Sequence, residues 1–258
     1  MRRALRAVPA VILVLALIGV WELYVDLKGP TFSLAILPSP HAVASSLYHD
    51  RSLLWSSFLV TAQEVLLGIL AAVVIGGALS VAIHFSPTLR RATYPLIVAS
   101  QAVPVAVFAP VLAFWLGFGI LPKLVVVAIV SFFSIVVTAT AGLDAVDPDL
   151  IKLMRTFDAS RITTFRHVEL PSALPSVFAG AKIAVAVSVI GAVFAEYTGS
   201  NSGLGYVILV SEPQLLVARA VAATVILSLF AIALFALLAL AERMALPWAY
   251  GPREERAA

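Results

Sequence analysis

Apolar runs long enough to cross a bilayer, interrupted by one long polar stretch, constrain this chain more than any other feature. A membrane-spanning helix needs about 20 mainly apolar residues at a rise of 1.5 Å each. Runs of that kind fall at about 8–25, 58–84, 94–117, 121–143, 177–198 and 218–246. Backbone in hydrocarbon must satisfy its own hydrogen bonds, so the runs predict six transmembrane helices in a single all-α membrane domain. Composition agrees: 62% of the 258 residues are hydrophobic and 12% charged, against roughly half and a quarter in soluble domains. No soluble catalytic domain is expected within these residues. The first run follows a basic N-terminus as a signal peptide would. It nevertheless approaches span length and lacks a small-residue cleavage site before the polar Asp26–Pro30 stretch, so it is expected to be a retained span.

Six spans put both termini on one side, and positive charge selects the side. Of the 17 Lys and Arg residues, only Lys28, Arg51, Lys123 and Arg219 fall on the face opposite the termini. Arg2, Arg3, Arg6, Arg90, Arg91, Lys152, Arg155, Arg161, Arg166, Lys182, Arg243, Arg253 and Arg256 lie with the termini or the loops on their side. The positive-inside bias predicts cytoplasmic termini in a multi-pass protein of the inner or plasma membrane. The net charge of +3 therefore reports topology, and no nucleic-acid partner is expected.

Catalytic chemistry is not encoded in a recognisable form. Without cysteine, disulfides, thiolate metal sites and thiol catalysis are excluded. No G-x-x-x-x-G-K-[ST] motif is present for ATP, and the four histidines lack metal-ligand spacing. No nucleophile–base–orienter set stands out. Ionisable residues in or near spans are Glu22, Glu64, His84, Lys182, Glu196 and Glu242, and such groups are expensive in lipid. Most lie near span ends, where they can reach water. Glu196 divides evenly between a functional role and a helix cap or ion pair.

Local signals mark three further segments. Pro38-Ser-Pro40 predicts a break followed by a short helix over His41–Tyr48. The third run contains Pro95, Pro104 and Pro110, which bend a helix and free backbone carbonyls where it lines a cavity or packs on a neighbour. In the fifth run Gly180, Ala184, Ser188, Gly191 and Ala195 form a stripe of small residues. Such a stripe serves either packing within the chain, the favoured reading, or a dimer seam. The Gly199–Gly205 stretch reads as a turn.

The polar stretch, 144–176, must lie in water or against protein. Within it Leu150, Ile151, Leu153, Met154 and Phe157 share one side of a helix, and Lys152 and Arg155 lie on the other. A short loop helix has no core to receive that side, so a partner is expected.

The sequence from Val146 to Ser160, followed by Phe165-Arg-His-Val-Glu-Leu-Pro171 and Leu174-Pro175, resembles the EAA coupling loop of ABC importer permeases. The likeness extends to Phe178–Lys182, Gly199–Tyr206, Leu37-Pro-Ser-Pro40 and the Pro-rich third run, and so covers nearly the whole chain. It is strongest for the branch serving nitrate, sulfonate, taurine and thiamine-precursor or riboflavin uptake. The resemblance implies a type I ABC importer transmembrane domain that is not itself an enzyme. Its implied partners are two ATP-binding cassette ATPase subunits, an extracytoplasmic solute-binding protein and a second permease copy. No cofactor is expected in this chain, since ATP and Mg would be held by the ATPase.

By resemblance, Asp149, Leu150, Ile151, Lys152, Leu153, Met154, Arg155, Phe157, Asp158, Ala159, Leu170 and Pro171 couple to that ATPase. Gln101, Pro104, Ser188, Gly191 and Glu196 are candidates for the translocation path or for helix packing. Two positions depart from the family's pattern. Lys152-Leu153-Met154 stands where Glu-Ala-Ala is usual, and Asp158 replaces the turn glycine. Asp tolerates positive φ and is also able to cap the helix that follows. A pyrimidine thiamine precursor or a riboflavin-like compound is the expected solute; sulfonate, taurine or nitrate is the alternative, and an ATP-independent carrier or channel the alternative of another class.

Overall fold

The computed structural model describes residues 2–249. Among them there are helices and no strand, the all-α fold expected of the apolar runs. In chain order the helices are α1 (Arg2–Lys28), α2 (Pro30–Ala35), α3 (Pro40–His49), α4 (Arg51–Phe85), α5 (Pro87–Ser100) and α6 (Val105–Leu116). They continue with α7 (Ile120–Asp144), α8 (Pro148–Thr156), α9 (Arg161–Thr164), a π-turn at Phe165–Glu169, α10 (Leu170–Tyr197), α11 (Leu204–Ser211) and α12 (Val217–Ala245). Arg253 and Arg256, part of the positive C-terminal charge, lie outside the described residues.

Four helical rods among the described residues are long and apolar enough to cross a membrane: α4, α7, the continuous rod Arg161–Tyr197, and α12. The third apolar run is not one straight helix, because α5 and α6 meet at 103°. Pro104, with φ −61° and ψ 135°, stands immediately before α6. It has no N–H to continue the ladder and biases Val103 away from helical φ/ψ, so α5 must stop short of it.

The described chain divides into two compact units, residues 2–61 with 200–228 and residues 62–199 with 229–249. In the first, Ser39 caps α3, its hydroxyl accepting from Ala42 N at 3.2 Å. This is the break and short helix that the Pro-Ser-Pro signal predicts. Glu22 of α1 accepts from His41 N at 3.1 Å, and the Leu204 N–H at the start of α11 donates to the buried Thr61 hydroxyl at 2.8 Å. Arg219 bridges to Asp50 at 2.7 Å. The guanidinium is the main cause holding the Asp50 carboxyl below its ordinary value, against desolvation that pushes it up. The pair joins the start of α12 to the end of α3.

The second unit is built on α7 and α10, with α6 resting on both. Ile135, Ala181 and Ala184 form one buried cluster, flanked by Val73 and Leu238. Ala109, Val126 and Ala195 form another between α6, α7 and α10. Ile83, Ile97 and Val136 form a third between α4, α5 and α7. The small-residue stripe of α10 is buried throughout and faces α7. A Cβ on Gly180 would collide with the Thr138 hydroxyl, and one on Gly191 would touch Val127 at 3.5 Å. The stripe therefore serves packing within the chain, because small residues let two backbones approach without a gap.

Candidate coupling site and buried polar pairs

The polar loop begins with α8. Asp147 caps it, accepting from Asp149 N at 2.8 Å, and Pro148 occupies its first turn, where a missing N–H costs nothing. The helix ends in a Schellman motif: Ala159 N donates to Met154 O and Asp158 N to Arg155 O, both at 3.1 Å. Asp158 takes the left-handed position at φ 51°, where glycine is usual. The turn is thus preserved with a residue that tolerates positive φ. The next helix is not capped by Asp158. Ser160 does that, its hydroxyl accepting from Thr163 N at 3.2 Å. Both residue types suit a cap, and the αL backbone of Asp158 assigns it to ending α8 instead.

No residue of α8 is buried. Leu150, Leu153 and Phe157 are exposed, Phe157 by 74%, whereas Ile151 and Met154 are half-buried. The apolar side therefore presents an outward row of Leu150, Leu153 and Phe157, and Ile162 of α9 is exposed as well. Lys152 reaches Asp149 of its own helix at 2.8 Å, a solvated contact of small energy. Arg155 is exposed; Ala159, Leu170 and Pro171 are half-buried. A shallow cleft beside α8 is lined by Leu150, His167, Pro171, Pro175 and Trp248.

From Arg161 the chain is helical without interruption to Tyr197. One wide turn interrupts its α geometry at Phe165–Glu169, where Leu170 N donates to Phe165 O. Glu169 is buried and meets His84 Nε2, at the end of α4, at 2.8 Å. Beside them Arg161 donates to the His84 and Phe85 carbonyls at 3.4 Å and lies over the Phe85 ring at 4.8 Å. Arg90 makes a two-pronged pair with Asp144 at 2.6 and 3.0 Å, tying α5 to the end of α7.

The remaining candidates fall into two groups. Gln101 and Pro104 are exposed at the break between α5 and α6. Ser188, Gly191 and Glu196 are buried inside the second unit. Glu196 is 0% exposed and interacts with Glu64. Glu64, 1% exposed, accepts from Lys123 Nζ at 2.7 Å, with Lys123 itself 8% exposed. Three helices thus place two carboxyls and an ammonium in one buried cluster. Glu64 does not reach out to water from its span end, and Lys123 is not simply an outward charge. Lys182 of α10 likewise pairs with Glu242 of α12 at 2.8 Å. The sequence flagged Glu64, Glu196, Lys182 and Glu242 but not Lys123, nor which residue meets which, because Glu64 and Lys123 lie 59 residues apart and Lys182 and Glu242 60, with no shared local pattern.

In this helical membrane protein the polar loop carries an exposed amphipathic helix, α8, which a tight turn separates from the long rod Arg161–Tyr197. The chain belongs to the family of binding-protein-dependent transport system inner membrane components, whose model matches residues 64–245. It is 33% identical over 249 residues to the formylaminopyrimidine transport permease ThiX of Halalkalibacterium halodurans, covering 96% of this chain and 98% of the relative. It is 32% identical over 236 residues to the riboflavin transport permease RibX of Chloroflexus aurantiacus, covering 88% and 85%. Among solved structures it is similar to a chain of the inward-facing MetNI methionine ABC transporter. That match has a TM-score of 0.63 at 19% identity and covers 77% of this chain and 96% of the other.

Proposed function

We propose that this permease subunit carries a thiamine pyrimidine precursor or a riboflavin-like compound into the cell. The solute is delivered by an external binding protein, and transport is driven by two ATPase subunits that dock on α8. The outward row Leu150, Leu153 and Phe157 carries the docking part of this reading. An exposed amphipathic helix fits helix-in-groove recognition, in which apolar anchors at helical spacing fill a partner's groove. Docking rests on that apolar row rather than on Lys152, whose charge already has Asp149 beside it. The positive-charge bias supports six spans with α8 and both termini in the cytoplasm.

The path itself lies between two copies of the subunit. Unsatisfied backbone is not tolerated against lipid. The exposed break at Gln101–Pro104 therefore suits an aqueous path or a partner permease. Similarity to ThiX and RibX supports the solute class.

The docking reading predicts that Phe157→Asp abolishes uptake while the protein still inserts. A charge placed in a buried contact loses its hydration without a partner. Uptake by membrane vesicles, read beside the amount of permease and of co-purified ATPase, checks this. Normal uptake by the variant would remove Phe157 from the interface. The solute is tested by titrating the cognate binding protein with a formylated aminopyrimidine, riboflavin and taurine.

A further inference from the structure

We propose that His84, Glu169 and Arg161 form the joint through which movement of the coupling loop reaches α4. The inference rests on the reading that a partner ATPase moves α8. It adds that the motion has two routes into the membrane. One is covalent, along the continuous rod from Arg161 to Tyr197. The other crosses from the rod to α4 by the His84–Glu169 contact at 2.8 Å, with both side chains largely buried at 17% and 11% exposure.

The surroundings stiffen this crossing. Phe165, which opens the wide turn, packs its ring 5.1 Å from Phe85 and 5.8 Å from His84. Arg161 places its guanidinium on the last carbonyls of α4, where the helix dipole favours a cation. Isolated π-turns within α-helices recur at functional sites because the extra residue changes the direction of the side chains that follow. Here the residue closing that turn is Glu169, the one that meets His84.

Farther back along α4, at Glu64, the helix is fixed as well, to Lys123 of α7. Along α4 the separation between Glu64 and His84 is about 30 Å, the thickness of a bilayer core. A helix held at both levels to the α7–α10 pair moves with that pair as one body. If the His84 end is cut, a push on α8 would turn α10 without carrying α4. His84, Glu169 and Arg161 are therefore positioning residues for transport and are not expected to touch solute.

The test is the amount of solute taken up per ATP hydrolysed, in proteoliposomes holding the permease, its ATPase and its binding protein. Glu169→Ala is expected to lower that ratio about fivefold or more, within the usual range of coupling between sites, while the ATPase stays bound and hydrolyses ATP. The exchanged pair, His84→Glu with Glu169→His, is expected to restore most of it. Should Glu169→Ala fail to accumulate, Arg161→Ala carries the test, because that side chain is exposed. The expected loss there is about twofold or more, at the lower end of coupling effects. Wild-type ratios in the variants that accumulate would overturn the joint and leave the transport reading standing. Absence of ATP-dependent uptake by the wild-type assembly would overturn the transport reading itself.

Discussion

Asp158 shows how a single residue shapes the polar loop. Its φ of 51° lies in the left-handed region, which costs an L-residue about 1–2 kcal/mol relative to glycine, less for Asp because its short side chain bonds locally. Asp158→Gly is expected to keep uptake and raise the melting temperature of the purified protein slightly. Asp158→Val is expected to lose about 1–2 kcal/mol at the turn, since a β-branched side chain is disfavoured there. Melting curves and uptake measured side by side check both. Equal melting temperatures for the Gly and Val variants would mean that the turn relaxes. The tolerance of Asp for this backbone was legible in the sequence. Which residue caps the next helix was not, because Asp158 and Ser160 are both good caps and only the backbone at 158 separates them.

At the scale of elements, α8 and α10 represent two different uses of pattern. In α8 the helical spacing of apolar residues identified the sticky side. Folding then divided that side into an outward row and the half-buried Ile151 and Met154, which periodicity alone does not separate. In α10 the small-residue stripe had two readings, and contact with α7 selects packing within the chain. Gly180→Val is therefore expected to destabilise the protein by at least about 1–3 kcal/mol, the usual range for overpacking, because Thr138 and the Ser134 carbonyl already occupy that space. Size-exclusion profile and melting temperature in detergent would report it. A variant as stable as wild type would show that α7 and α10 can part at little cost. The bend between α5 and α6 was signalled by Pro104, but its size of 103° depends on how α6 settles against α7 and α10.

For the whole molecule, the buried ion pairs decide how distant segments are joined. Glu64, Lys123 and Glu196 lie in three helices, and removing one member of such a cluster leaves charge without a partner. Lys123→Met is expected to cost about 3–5 kcal/mol, read as a fall in melting temperature or as loss of the folded protein. Combining it with Glu64→Leu is expected to recover much of the loss, because that change also removes the carboxyl left behind. A single variant that melts with the wild type would show the cluster to be solvated and energetically minor. The same logic makes Lys182–Glu242 a tie between α10 and α12 rather than two side chains reaching separately for water.

The sequence by itself determined the helical membrane class, the polar loop with its apolar side and the family. Bilayer thickness, helical period and backbone dihedral preference act locally, so they leave local patterns. Only the tertiary structure decided that Glu64 meets Lys123, that His84 meets Glu169 and that the α10 stripe lies on α7. These partners are brought together by packing between helices far apart in the chain, and a lone charge or a glycine in one helix carries no mark of which helix it will meet.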